Sequence, residues 1–184
     1  MCDCVALVGV SKTSLDDVAS GAGCSRATLY RYFSNKQELL SALIAREAEA
    51  LSGALADATA ESGSLNEACA AIIVEGAEFL LDHAALSAVL AIEPAAVLRI
   101  VTLGGADEFI RAAAALVAPN LAAHMETQQD ALRLADLLVR ITLSHLQNPD
   151  PQFPITDPPT VARLVEQYIT PGFVREPAAW RTDS

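Results

Sequence analysis

Aromatic residues are scarce in this chain. Its 184 residues include five Phe, three Tyr and one Trp, 5% of the total. No segment alternates polar and apolar residues, so nothing reads as a strand. No uninterrupted apolar run reaches the roughly 18 residues of a membrane-crossing helix. The short apolar N-terminus, MCDCVALVGVSK, lacks a basic start, so a signal peptide is not expected and the default location is the cytoplasm. Cysteine is limited to Cys2, Cys4, Cys24 and Cys69. No Cys or His follows the Cys2/Cys4 pair at metal-site spacing, so reduced thiols are expected and no metal; a redox or metal role at that pair is the lesser alternative. There is no nucleophile elbow, no H-E-x-x-H and no Gly-rich phosphate loop, and the adjacent Asp82 and His83 make no catalytic constellation. An enzyme is therefore not expected, and no cofactor is called for.

Basic residues are also few, 12 Lys and Arg against 23 Asp and Glu, for a net charge of −11. What remains is a helix-forming composition that is 52% hydrophobic, which predicts an all-α chain. The charge is uneven. Residues 1–46 hold Lys12, Arg26, Arg31, Lys36 and Arg46 against Asp3, Asp16, Asp17 and Glu38, a net of +1. The other 138 residues carry −12. The N-terminal quarter thus tolerates an anionic partner and the rest does not. Within that quarter the segment GCSRATLYRYFSNK gathers Tyr30, Tyr32 and Phe33 beside Arg26, Arg31 and Lys36.

Cap and breaker residues set the expected elements. Thr13 and Ser14 cap a helix over about 14–21, which Gly21-Ala22-Gly23 ends; Ser25 caps the next, about 26–32. Ser34 or Asn35, with Glu38, caps a third over about 36–58. Further helices are expected over about 65–83, 86–92, 94–103, 105–118, 127–146 and 158–169. The helix over 158–169 is expected to be amphipathic through Val161, Leu164, Val165, Tyr168 and Ile169. Between the last two helices lie Pro149, Pro151 and Pro154, with Pro158 and Pro159 at the start of the final one.

Two short helices joined by a Gly-containing turn form a helix-turn-helix. Ala19 is small where the helices must cross close together, and Gly23, four residues on, permits positive φ. Leu29 and Phe33 face a core with Leu15, Val18 and Ala22. Ser25, Arg26, Thr28, Tyr30, Arg31 and Tyr32 are left on the other sides, and a short helix so rich in donors suits a major groove. The run TSLDDVASGAGCSRATLYRYFSNKQELLSAL resembles the DNA-binding signature of the tetracycline-repressor (TetR) family, with the likeness extending from Gly9 to about Leu43. The A-x-x-x-G turn, the S-R-x-T-L-Y-x-Y-F recognition helix and the N-K start of the next helix all fall in register. Beyond residue 55 the likeness is architectural.

The resemblance implies a three-helix DNA-binding domain over 1–46 and a helical effector-binding and dimerisation domain over 47–184. It implies that Thr13 and Ser14 touch phosphate, that Arg26 and Thr28 face base edges, and that Tyr30 and Tyr32 offer hydroxyls to phosphates. Lys36 would meet phosphate from the next helix start, Arg31 would be a phosphate contact or a surface charge, and Ser25 shares their face. Only eight residues precede Gly9, so the family's first helix is expected to be shortened, leaving Leu15, Phe33 and Leu39 partly uncovered. Cys24 stands where the family usually has a small apolar residue and is expected as a structural thiol, with a redox switch, which would need an exposed low-pKa thiolate, as the lesser alternative.

For the C-terminal part the resemblance implies a homodimer. Leu138, Ile141, Thr142, Leu146, Leu164, Val165 and Tyr168 are the candidate interface, unless those stripes serve only their own core. Phe79, His83, Phe109, His124, Met125 and His145 are the candidate lining of a pocket for a hydrophobic or amphipathic small molecule. The function so implied is a regulator, a repressor released from a palindromic operator in double-stranded DNA when the effector binds. The alternative is a dimeric ligand-sensing protein whose DNA binding is impaired by the shortened first helix.

Overall fold

The computed structural model describes residues 15–21, 23–83 and 106–173, and all regular structure among them is helical. Seven α-helices are present among the described residues: α1 (Leu15–Gly21), α2 (Arg26–Tyr32), α3 (Lys36–Thr59), α4 (Leu65–Asp82), α5 (Ala106–Val117), α6 (Gln128–Gln147) and α7 (Pro158–Leu164). The expected helices over 86–92 and 94–103 lie outside the described residues, as do Thr13, Ser14, Ala22 and the Cys2/Cys4 pair. The chain forms two compact units. One comprises Met1–Ala54 with Glu78–Phe109, the other Leu55–Ala77 with Ile110–Ser184.

In the first unit, α1 and α2 pack through Leu15, Val18, Ala19 and Leu29, joined by Leu39 of α3, with Cys24 and Phe33 packed against the cluster. Leu15 and Leu39 are buried and Phe33 is half-buried. Between the helices the amide of Cys24 bonds the Ala19 carbonyl (3.0 Å) and that of Gly23 bonds Ser20 (3.2 Å). Gly23 has φ +64°. This is the Schellman ending, in which a left-handed residue turns the chain and satisfies the last carbonyls. Cys24, the residue after that glycine, then closes the apolar contact the motif favours.

The next starts are built on the expected chemistry. Asn35 caps α3, accepting from the Glu38 amide (2.9 Å), while the Glu38 carboxylate accepts from the Ser34 amide (2.7 Å). Ser64 and Glu67 repeat the arrangement at α4. Each pair satisfies one orphan amide of the first helical turn and the amide just before the cap.

The second unit has a core drawn from every helix it contains. Leu55, Ile73, Ile110, Leu121, Leu134, Leu138, Val161 and Val165 are its largest fully buried side chains. On α6 the buried set is Ala131, Leu134, Ala135, Leu138 and Thr142, a stripe at spacings of three and four. Two elements depart from the sequence expectation. After α5, Pro119 does not stop the helical path, which tightens into a 3-10 turn over Ala118–His124. Proline fits there because the first turn leaves its missing N–H without consequence. After α7, the helix widens into a π turn over Val165–Ile169, and the Thr170 hydroxyl and amide both bond the Val165 carbonyl. Pro171 explains it: its ring would clash with the carbonyl four residues back, so the ladder opens before it. Val161, Val165 and Ile169 are buried, but Tyr168, expected on the same stripe, is 76% exposed.

Two stability predictions follow from these features. A Cβ at Gly23 would meet no atom within 4 Å, so only its backbone conformation opposes a side chain. Gly23→Ala is expected to cost about 1 kcal/mol, and Gly23→Asn less, read as denaturation midpoints of the full chain. Cys69 is fully buried, and burial raises its thiol pKa from 9.0 to about 12. Its contribution to stability is complete below the unfolded value and is lost as pH rises toward the folded one, because the unfolded chain releases the proton first. The loss is at most about 1.4 kcal/mol per pH unit. Cys69→Ala is expected to flatten the difference between urea midpoints measured at about pH 8 and about pH 10.5.

Candidate nucleic-acid interface

Helix α2 has only seven residues, too few to persist alone, and owes its existence to its cap and its buried face. The Ser25 hydroxyl accepts from the Thr28 amide (3.1 Å) and lies 2.8 Å from the Thr28 hydroxyl. At the other end the Phe33 amide bonds the Leu29 carbonyl as the chain leaves the helix in extended conformation. Leu29 is the one buried residue between these ends. Anchoring through it turns the remaining positions outward.

The structure brings together six of the nine sequence-predicted contacts. Ser25, Arg26, Tyr30, Arg31 and Tyr32 are exposed and Thr28 is half-buried. Thr13 and Ser14 lie outside the described residues, and so does the side chain of Lys36, whose backbone begins α3. The cations and aromatics are interleaved. The Arg26 guanidinium lies over the Tyr30 ring, 5.2 Å from its centroid, and Arg31 lies over Tyr32 at 5.1 Å. Arg31 also donates to the Tyr32 hydroxyl at 3.3 Å. Such stacking leaves the guanidinium edges available while restricting the side chains' rotamers. The face thus offers fork-shaped donors and phenolic hydroxyls on a rod that a major groove accommodates.

Two residues of this surface were missed by sequence reasoning. Ala27 is exposed between Arg26 and Thr28. Its methyl group is of the kind that contacts a thymine methyl, and its place within the recognition helix was the available signal. Asp16, on α1, bonds Arg26 through Nε at 3.0 Å. No spacing rule connects these two positions, because the contact depends on how α1 and α2 cross.

The candidate pocket residues divide between the units: Phe79, His83 and Phe109 belong to the first, and His124, Met125 and His145 to the second. His83 Nε2 is 3.2 Å from Glu47 Oε2, and its ring lies 6.2 Å from that of Phe79. His145 Nδ1 is 2.9 Å from the Ile141 carbonyl one turn back, beside the Phe153 ring. His124 and Met125 are half-buried at the end of the 3-10 turn, and Phe109 is exposed. Elsewhere in the second unit an open groove of ≈ 550 Å³ is lined by Ala58, Ala70, Ala71, Val74 and Ala162 together with Glu61, Glu67, Glu75 and Glu166. Of the candidate interface residues, Leu138, Thr142 and Val165 are buried within their own chain. Ile141, Leu146 and Leu164 are half-buried and Tyr168 is exposed.

Residues 3–43 match the family model of bacterial regulatory proteins, tetR family. An uncharacterised HTH-type transcriptional regulator of Mycobacterium tuberculosis, found in two strains, is 49% identical over 37 residues, which is 20% of this chain. The chain spans 18% of the length of these relatives. Among solved structures, the TetR family repressor AlkX of Dietzia sp. strain DQ12-45-1b, implicated in biodegradation of n-alkanes, superposes with TM-score 0.61 at 26% identity. That match covers 89% of this chain and 85% of AlkX. The ketosteroid transcriptional regulator KstR2 of Mycobacterium tuberculosis shares the fold, with TM-score 0.50 at 17% identity over 95% of this chain and 91% of its own. The helix-turn-helix segment thus carries the signature of the tetR family of bacterial regulatory proteins, and most of the chain is similar in fold to a TetR family repressor.

Proposed function

We propose that this protein is a transcriptional regulator that reads duplex DNA in the cytoplasm with α2 in the major groove, and that it is a binding protein rather than an enzyme. The observation that carries this reading is the exposed face of α2. Arg26, Tyr30, Arg31 and Tyr32 stand together in an otherwise acidic chain, on a helix fixed from behind by Leu29. Arg26 and Thr28 face base edges; the tyrosine hydroxyls and Arg31 meet phosphates; Thr13, Ser14 and Lys36 add phosphate contacts at the flanking helix starts. Residues 1–46 do this work and residues 47–184 serve effector binding and dimerisation. A two-fold dimer would present its recognition helices roughly 34–36 Å apart, or a multiple of that, over a palindrome. The effector is a small hydrophobic or amphipathic molecule that releases a repressor from its operator. The likeness to a repressor implicated in n-alkane biodegradation supports both points.

The test is selection of duplex fragments by the full chain at two salt concentrations. Enrichment of a palindrome whose binding weakens with salt is the expected outcome. A folded dimer that enriches nothing would leave the ligand-sensing alternative instead. Within the selected site, Arg26→Ala is expected to cost about 1–3 kcal/mol and to relax preference at one base pair. Tyr32→Phe keeps the ring and loses the hydroxyl, so it is expected to weaken all duplexes alike by about 0.5–1.5 kcal/mol. A change of base preference in Tyr32→Phe would refute its phosphate role.

The dimer surface is testable separately. Tyr168 is exposed whereas Leu138 is fully buried. Tyr168→Arg is expected to shift the mass measured by light scattering from dimer toward monomer with the helical signal intact. Leu138→Ala is instead expected to lower stability by about 2–5 kcal/mol, as a cavity in the core does.

A further inference from the structure

The DNA-facing surface contains a carboxylate that the proposed contacts leave without a role. Asp16 Oδ1 lies 3.0 Å from Arg26 Nε, and the two side chains are 49% and 68% exposed. On its other flank the same guanidinium lies over the Tyr30 ring, 5.2 Å from the centroid. Two side chains, Asp16 from α1 and Tyr30 from α2, therefore define where the Arg26 head sits. We propose that Asp16 is a positioning and specificity-determining residue of the DNA interface. This rests on the duplex-DNA reading above.

Two physical effects support it. The first is geometric. With Nε engaged by Asp16, the two terminal amino groups form the remaining donor pair, the end-on fork that matches the O6 and N7 acceptors of guanine. The second is electrostatic. Arg26 and Asp16 at contact distance carry no net charge, so the pair gains little from a phosphate backbone that meets it in any register. An ordinary basic contact would strengthen binding to every sequence alike. Asp16 thereby withholds Arg26 from non-specific binding while preserving its base contact. The pair is solvent-exposed, and such ion pairs contribute little to folding, so variants at this position keep the fold.

The experiment uses the full chain, its selected duplex and a scrambled duplex of equal length, titrated at several salt concentrations. Asp16→Asn can still accept from Nε but lacks the charge. Its log affinity for the scrambled duplex is expected to fall more steeply with log salt, by about 0.9 in slope, equivalent to about 3.5-fold more loss between 50 and 200 mM. Its ratio of selected to scrambled affinity is expected to fall. Asp16→Ala removes the acceptor as well and is expected also to relax preference at the base pair that Arg26→Ala relaxes. Asp16→Glu is expected to restore the wild-type slope and ratio. Wild-type slope and ratio in both Asp16→Asn and Asp16→Ala, alongside a wild-type chain that binds its selected site, would overturn the role of Asp16 alone. A wild-type chain with no salt-dependent duplex binding would overturn the interface reading and this inference with it.

Discussion

The interface depends on one packing event, the burial of Leu29 against Leu15, Val18, Ala19 and Leu39. A seven-residue helix has too few internal bonds to repay its own nucleation. Its persistence is tertiary, and so is its orientation. The close crossing of α1 and α2 requires the small side chain of Ala19. The reversal between them requires a left-handed residue at Gly23, where a glycine adopts φ +64° without steric cost. Once those conditions are met, the identity of the outward residues is free to vary without disturbing the packing beneath them. Core and contact residues are thus separated on a single helix, and a change at the contacts leaves the fold largely untouched.

The electrostatic organisation of that face is a matter of arrangement more than of total charge. Arg31 on Tyr32, and Arg26 between Asp16 and Tyr30, are held by neighbours that are themselves exposed. Each interaction is weak in water. Together they limit the rotamers that long side chains would otherwise sample, and so reduce the entropy lost when those side chains meet a partner. The acidity of the rest of the chain adds a long-range bias. It disfavours approach of a polyanion to the acidic remainder of the chain, and the bias weakens as salt screens it.

The helix-turn-helix was readable because its determinants are local. Ser25 and Asn35 act on amides within one turn, Gly23 acts through its own φ, and the Leu29/Phe33 spacing follows the helical period. What remained hidden depends on distance in sequence or on the sharing of a surface. The Asp16–Arg26 contact exists only after α1 and α2 cross. The apolar positions Leu138, Thr142 and Val165 carry the same periodic signal whether they face their own core or a second copy, and the structure places all three inside their own unit. The partners of the distinctive side chains were equally out of reach: His145 meets its own helix carbonyl and Phe153, and His83 meets Glu47 and Phe79.

Tyr168 shows how a single backbone constraint alters what a sequence stripe means. A regular helix from Pro158 to Ile169 would put Tyr168 near Val161 and Val165 on one apolar face. Pro171 prevents that regularity by opening the ladder into a π turn, in which each residue advances through a smaller angle. The slower rotation keeps Ile169 over the core and leaves Tyr168 off the stripe, in solvent. The same turn that completes the core with Ile169 therefore creates an exposed aromatic with one polar end. Such a residue gains from a partner surface that covers its ring while its hydroxyl stays hydrated. The candidate dimer surface is accordingly read from the residues that the core leaves over, with Tyr168 foremost, and not from Leu138 and Val165, which are fully buried.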